Sequence, residues 1–272
     1  MIINCRSIRS QSKRINLATL LSDHQIDIIL GCESHLDHSF LSSEILPSDY
    51  TIFRKDRTLG GGGVFIGIRN CLTAMADSSL STDTELIWIK LLTLNNRSVY
   101  ICSYYRPPNN DLNSTIQLRK SLETLHTNHQ FNSSIIILGG DFNLPDISWE
   151  NGCGRVNPSP SYGTEINNSL LDIVSDYHLE QLVNETTQEN HILDLLFCSH
   201  LSMISEVLTT PGISDHEAVL FQLNLKSVLY RNPDHNIYLY HKGNYENIQK
   251  CIADFRETWL STNPYNNTLE HN

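Results

Sequence analysis

Nowhere does the 272-residue sequence hold the run of about 18 apolar residues that a bilayer-spanning helix needs, so a membrane-embedded protein is not expected. The opening MIINCRSIRS meets its first charge too early to be read as a secretory leader, and the expected location is nuclear or cytoplasmic. None of the seven cysteines forms a C-x-x-C pair, and their number is odd. That argues against zinc ribbons and disulfide scaffolds and for reduced thiols packed as small apolar groups. Without a leader, the N-x-S/T triplets at Asn96, Asn113 and Asn132 carry little weight. Basic residues are scarce too: 19 Lys and Arg face 30 Asp and Glu, for a net charge of −11. A strongly basic nucleic-acid binder is thereby excluded, and any DNA affinity should be weak, salt-sensitive and non-specific.

What basic charge exists is gathered near the start. Residues 1–70 hold eight Lys or Arg against seven Asp or Glu, grouped at Arg6, Arg9, Lys13 and Arg14 and again at Arg54, Lys55 and Arg57. Each group is compatible with ordinary solvated surface. With 40% hydrophobic and 18% charged residues the chain is globular, and its length suits one large domain or two small ones.

Short β-type runs dominate and no internal repeat is visible. Strands are predicted at 27–32, 63–68, 86–92, 98–105, 134–138, 193–197, 206–209 and 218–223, rich in Ile, Val, Leu and Tyr and bounded by turn residues. Asn95-Asn96 reads as the turn of a hairpin. Apolar spacing predicts helices over 14–24, 111–129 and 164–182, the second capped by Asn109 or Asn113. Many short strands with a few helices suggest an α+β fold, two packed mixed sheets with helices outside. The pattern changes near residue 230, where Asn232-Pro233-Asp234 reads as a break and 245–259 as an amphipathic helix. The expected organisation is a domain over 1–227 and a C-terminal linker segment over 228–272.

Several strand ends carry polar residues with chemical potential. Ile135–Leu138 runs into Gly139-Gly140-Asp141-Phe142-Asn143. An acid and an amide two apart at the end of a buried strand can face one crevice, and glycines let other groups come close to the backbone. An Asx turn would explain the same residues. Ser214-Asp215-His216 follows a Pro-Gly loop and offers an acid and an imidazole together, or a solvated loop. Glu33 closes the apolar run 27–32, where an acid suggests a ligand or merely a strand end. Tyr104 and Tyr105 end another strand, as functional groups or as rim residues. Asp194 opens a strand after Thr187 and could orient an imidazole, or simply start the strand. Asn4 ends the first apolar residues, where a cap or turn is the ordinary explanation.

Taken in order, these motifs resemble the endonuclease/exonuclease/phosphatase superfamily of apurinic endonucleases and DNase I. They resemble most the apurinic-type endonuclease domain of non-LTR (LINE-type, jockey-like) retrotransposons. The likeness spans about residues 1–225. It rests on Asn4-Cys5-Arg6-Ser7-Ile8, Cys32-Glu33-Ser34-His35-Leu36, Gly61-Gly62-Gly63-Val64, Tyr105-Arg106-Pro107-Pro108, Gly140-Asp141-Phe142-Asn143, 193–197 (LDLLF) and Ser214-Asp215-His216.

The resemblance implies a DNase I-like four-layer α/β/β/α sandwich and a Mg²⁺- or Mn²⁺-dependent endonuclease acting on DNA. It implies Glu33 as metal ligand, with Asn4 and Asp215 nearby, and Asp141 as the group that orients or deprotonates water. Asn143, His216, Tyr105 and Thr187 would contact the phosphate, and Asp194 would hold the His216 imidazole. Ser214, Arg6 and Arg57 complete the expected phosphate- or DNA-binding set. The family has a fuller first strand than Met1-Ile2-Ile3 supplies, and a frayed first strand would loosen Asn4 at a cost in stability. The alternatives are a phosphomonoesterase or phospholipid phosphodiesterase of the same superfamily, or an inactive remnant that binds DNA or protein.

Overall fold

The computed structural model describes residues 1–57, 60–93, 98–128, 134–225 and 242–262. The chain divides into two units, Met1–Arg231 and Asn232–Asn272.

The first unit is built on two six-stranded sheets. One contains β1 (Ile2–Asn4), β2 (Ile28–Cys32), β3 (Tyr50–Lys55), β4 (Val64–Arg69), β13 (Ile204–Thr210) and β14 (Ala218–Leu223), in the order β13-β14-β1-β2-β4-β3. The other contains β5 (Ala74–Ala76), β6 (Glu85–Leu92), β7 (Ser98–Tyr105), β8 (Ile135–Asp141), β11 (Glu180–Gln181) and β12 (Asp194–Cys198), in the order β11-β12-β8-β7-β6-β5. Both are mixed: β1 runs parallel to β2 and β7 to β8, and the remaining pairs are antiparallel. A separate hairpin joins β9 (Ile147–Glu150) to β10 (Cys153–Val156).

Alternation along the strands builds three apolar layers. Ile2, Leu30, Ile66, Ile101, Ile137 and Leu196 meet between the sheets. Their neighbours point the other way: Ile3, Ile29 and Phe65 pack on Leu17 and Leu21 of α1 (Gln11–Asp23). Tyr100, Ile136, Leu138 and Phe197 pack on Leu118 and Leu122 of α2 (Asn113–Asn128) and Leu170 and Ile173 of α3 (Thr164–Asp176). Strands covered on both faces read as unbroken apolar runs, which is why Ile135–Leu138 contains no polar residue. Each fully buried side chain of this kind contributes roughly 1.5–3 kcal/mol. The result is the expected α/β/β/α sandwich.

Some boundaries differ from expectation. The third helix stops at Asp176, not at residue 182. His178 takes a left-handed φ of 49°, and the N–H groups of His178 and Leu179 donate to Ser175 O (3.2 Å) and Val174 O (2.9 Å). This Schellman closure ends the helix before Leu179, from which the chain goes on into β11. Asn109 does not cap α2 directly. It accepts from Asp111 N (3.1 Å), and Asp111 accepts from Asn113 N (2.8 Å), two successive Asx turns that lead into the helix. Strands β3, β5, β9, β10 and β11 were not anticipated. The first strand is not frayed: β1 lies between β2 and β14, Asn4 is buried, and the Met1 ammonium donates to Ile28 O at 2.8 Å. Pairing on both sides holds a three-residue strand that would fray at a sheet edge. The Asn95-Asn96 turn and the Asn232–Asp234 break lie outside the described residues.

In the second unit, α4 (Tyr245–Thr262) buries no side chain, and Ile248, Ile252, Phe255 and Trp259 recur at helical spacing. Among the described residues no helix is long and apolar enough to cross a membrane.

Candidate active site

The alternation that builds the inter-sheet core also delivers the site. Counting by twos along β1 from Ile2 reaches Asn4, and along β8 from Ile137 reaches Asp141. Ile101 leads likewise to Tyr105 on β7, and Leu196 back to Asp194 on β12. In the second sheet these residues stand in register: Glu85 opposite Tyr105, Tyr105 opposite Asp141, and Asp141 opposite Asp194. A row of polar groups therefore crosses four adjacent strands at one mouth of the sandwich. Gly140 permits it, because a Cβ there would lie 1.9 Å from Tyr104 O.

Glu33 enters from the first sheet. One residue past β2 its backbone turns left-handed (φ 49°), and its carbonyl accepts from Ser7 N at 2.8 Å. Asn4 links the sheets: its Nδ2 donates to Glu33 Oε1 (3.2 Å) and to Asp141 Oδ2 (2.9 Å). Asn143, also left-handed at φ 47°, donates from its backbone N to Asp141 Oδ1 (3.0 Å) and from its Nδ2 to Asp141 Oδ2 (2.8 Å). The same amide donates to Arg106 O at 2.9 Å. Both amide hydrogens are thus placed, and Asn143 braces Asp141 where sequence suggested a phosphate contact.

His216 comes from the loop before β14. Its Nδ1 lies 2.7 Å from Asp194 Oδ2, and both residues are buried. Gly212 makes room for the loop, since a Cβ there would lie 2.3 Å from His216 O. Ser214 Oγ donates to Asn4 O (2.7 Å) and accepts from His216 N (3.2 Å), tying the imidazole loop to the first strand. Asp141, Asp194 and His216 offer ligand atoms within 4.8 Å of one another.

Burial disfavours charge on His216, but the hydrogen bond and charge of Asp194, with Asp141 beyond, outweigh it and raise the imidazole pKa to about 9. Burial and the negative charge of Asp194 push the Asp141 carboxyl well above the usual range. Burial, with Glu33 and Asp141 nearby, raises the Tyr105 phenol.

Three expected residues have protein partners. Thr187 is buried, and its Oγ1 accepts from Leu193 N and Asp194 N, both at 3.0 Å. It fixes the backbone at the start of β12, next to Asp194. Asp215 has partners of its own. It is engaged by Arg6 and by Gln188 Nε2 (3.0 Å), and although partial burial raises its pKa, the Arg6 contact brings it below the ordinary carboxylate value. Arg57 pairs with Glu85 Oε1 at 2.9 Å. Arg6, Arg9, Arg54 and Arg57 thus all have acidic partners, so the rim carries less free positive charge than their grouping in sequence implied.

Sequence reading assigned no role to Glu85 or Arg106. Glu85 accepts from Gly63 N and Arg57 and closes the row beside Tyr105. Nothing in an alternating strand marks it. Arg106 is fully buried, and its one signal was an arginine flanked by Tyr105 and Pro107 at a strand end.

Known proteins share this fold. Residues 99–220 match the endonuclease-reverse transcriptase family model. The endonuclease domain of TRAS1, a telomere-specific non-LTR retrotransposon, superimposes with a TM-score of 0.62 at 16% identity, covering 83% of this chain and 98% of that one. This is the endonuclease/exonuclease/phosphatase fold. The resemblance read from the motifs is borne out by the family match and by these neighbours. The Xenopus laevis APE2 catalytic domain gives a TM-score of 0.59 at 14% identity, covering 85% of this chain and 93% of its own. The 3′ phosphatase NExo from Neisseria, bound to a product DNA hairpin, gives 0.58 at 16%, covering 82% and 98%. No curated protein matches the chain in sequence.

Proposed function

We propose that this chain is a divalent-metal-dependent phosphodiesterase that nicks DNA. The observation that carries this reading is the hydrogen-bonded set Asn4–Glu33–Asp141–Asn143 beside the Asp194–His216 pair at one mouth of the sandwich. The named neighbours, two of them endonucleases or acting with DNA by their titles, support it.

The donor set fits a hard divalent cation such as Mg²⁺ or Mn²⁺. Its ligand atoms are mainly carboxylate and amide oxygens, which such ions prefer. Two carboxylates, Asp141 and Asp194, share a buried region with one imidazole, and Asp194 Oδ1 is buried without a hydrogen-bond partner. An added positive charge would relieve both the crowding of acids and that orphaned oxygen. Glu33 is the carboxylate that would hold the ion, with Asn4 beside it. When bound, the ion would supply stabilisation for charge on the phosphate oxygens.

The protein's own groups divide the remaining work. Asp141, braced by Asn4 and Asn143, orients and deprotonates the attacking water. His216, kept protonated by Asp194, faces the charge that builds on the phosphate. Tyr105, a neutral donor at neutral pH, serves the phosphate or its leaving oxygen. Arg6 and Arg57 lie at the rim, where DNA phosphates compete with Asp215 and Glu85 for them.

Plasmid nicking with and without EDTA tests the reading directly. Nicking should require Mg²⁺ or Mn²⁺, and Glu33→Ala should lower it about a hundredfold or more in a folded protein. Full activity in excess EDTA would overturn the metal requirement. Release of inorganic phosphate from monoesters without nicking would replace the endonuclease with a phosphomonoesterase.

Residues 228–272 are proposed to supply no catalytic group, since every residue of the site precedes Ala218. A chain ending near Ser227 should nick within about threefold of the full rate, as expected when removed residues touch neither substrate nor site. A folded truncation slowed a hundredfold would show the opposite.

A further inference from the structure

Arg106 shows no exposed surface, yet it forms no salt bridge among the described residues. Its Nη1 donates to Asn143 O (3.1 Å) and Pro107 O (3.2 Å), and its Nη2 donates to Asn109 O. Its guanidinium stacks on the Tyr162 ring, 5.3 Å from the centroid, and Nε finds no partner. Burial of the cation lowers its pKa. A buried cation without a counter-charge is costly, and its retention needs a reason other than stability.

The geometry supplies one. Arg106 N donates to Asp141 O (2.9 Å), Arg106 O accepts from Asn143 Nδ2 (2.9 Å), and the side chain returns to Asn143 O (3.1 Å). One residue thus clamps both ends of Asp141-Phe142-Asn143. Asn143 needs that clamp, because its left-handed backbone is a conformation a non-glycine residue adopts at a cost. From that conformation it places two N–H groups on the Asp141 carboxylate. Asp146 carries the support outward: its Oδ2 accepts from Ser161 N (2.7 Å), fixing the loop that lays Tyr162 over the guanidinium.

We propose that Arg106 is a positioning residue for the water-activating carboxylate, acting through Asn143. The proposal rests on the phosphodiesterase reading for its kinetic consequence and on geometry alone for its structural one. The planar fork is what reaches carbonyls on two separate segments. An ammonium in the same place offers a point charge without that fixed spread.

Two readouts separate the proposal from the function it rests on. In a ¹⁵N spectrum the Asn143 side-chain amide should be slow to exchange in the parent protein and lose that protection in Arg106→Lys, with the spectrum of the core strands retained. In nicking assays Arg106→Lys should lower kcat roughly thirtyfold with KM within about threefold, because the interaction serves the chemical step more than binding. Added to Asn143→Ala, it should cost less than about threefold more, since both changes remove one linkage. An unchanged Asn143 amide in folded Arg106→Lys overturns the proposal whether or not the protein nicks DNA. So does full additivity with Asn143→Ala. Should Arg106→Lys not fold, Tyr162→Leu removes only the stacking face: faster Asn143 exchange supports the clamp, and unchanged exchange overturns it.

Discussion

Asp141→Asn should leave a folded protein that nicks plasmid DNA at least about a thousandfold more slowly, because on the proposed reading the change removes a base needed mainly in the transition state. The substitution keeps size and shape, so the packing of Phe142 and the strand pairing on both sides of β8 should survive. What it cannot keep is a site that takes up a proton from water. It also breaks the local pattern of donors and acceptors. Asp141 Oδ2 accepts from both Asn4 and Asn143, and Oδ1 accepts from Asn143 N, so an amide nitrogen in either place faces a donor.

Linkage gives a second, independent sign. The folded carboxyl titrates above its ordinary value, so below that raised pKa the folded state binds a proton the unfolded state has released. Without a cation, ionised Asp141 therefore opposes folding at neutral pH, and that penalty fades as pH falls toward the unfolded pKa of about 3.9. Added Mg²⁺ should raise the melting temperature of the parent protein more than that of Asp141→Asn. Affinity for a short duplex should stay within a few-fold, since binding comes mostly from phosphate contacts elsewhere. A single-turnover rate within tenfold of the parent would remove Asp141 from the chemistry.

How much of this was legible in the sequence follows from the physics of each element. The core strands were visible because burial on both faces writes an apolar run, as at Ile135–Leu138, and boundaries there fell within a few residues. The edge strand β3 (YTIFRK) and the short β5 (AMA) were not visible. The first is half-exposed along nearly all its length and ends in two charges, and the second has too few residues to form a pattern. The helix end at Asp176 was missed because a Schellman closure by a non-glycine residue, His178, leaves no compositional mark. Within the site, strand-end polar residues were identifiable singly, yet their meeting depends on register, which no local pattern reveals. Asp141 lies opposite Asp194 only because β8 and β12 are adjacent and aligned. Second-layer roles were hidden for the same reason. The Thr187 hydroxyl accepts from the Asp194 backbone, and Arg106 and Glu85 meet Asn143 and Gly63, contacts that no local pattern announces.

Asp194→Ala and His216→Ala should each slow nicking by two to four orders of magnitude, roughly, and the double variant should be little worse than the slower single one. The argument starts from the 2.7 Å contact between Asp194 Oδ2 and His216 Nδ1, buried and backed by the Thr187 hydroxyl on the Asp194 backbone. An imidazole in an apolar, crowded place would ordinarily lose its proton, and here burial is the largest influence in that direction. Asp194 reverses the balance and sets the titration near 9, so His216 remains an imidazolium throughout the neutral range. On the proposed reading the two residues act as one group: without Asp194 the imidazole loses its hydrogen-bond partner and the largest influence that keeps it charged.

The sign of the linkage makes the pair testable without substrate. A histidine raised in the folded state stabilises the fold fully below its unfolded pKa of about 6.5, and that contribution is lost as pH rises through about 9. Proton NMR of the His216 ring in the absence of divalent ions should show a midpoint near 9 in the parent. Asp194→Asn should lower it clearly, because the burial that Asp194 opposes would then be countered only by the charges of Asp141 and Asp215. A His216 midpoint unmoved by Asp194→Asn, or kinetic losses that simply multiply in the double variant, would show that Asp194 and His216 are neighbours without being partners.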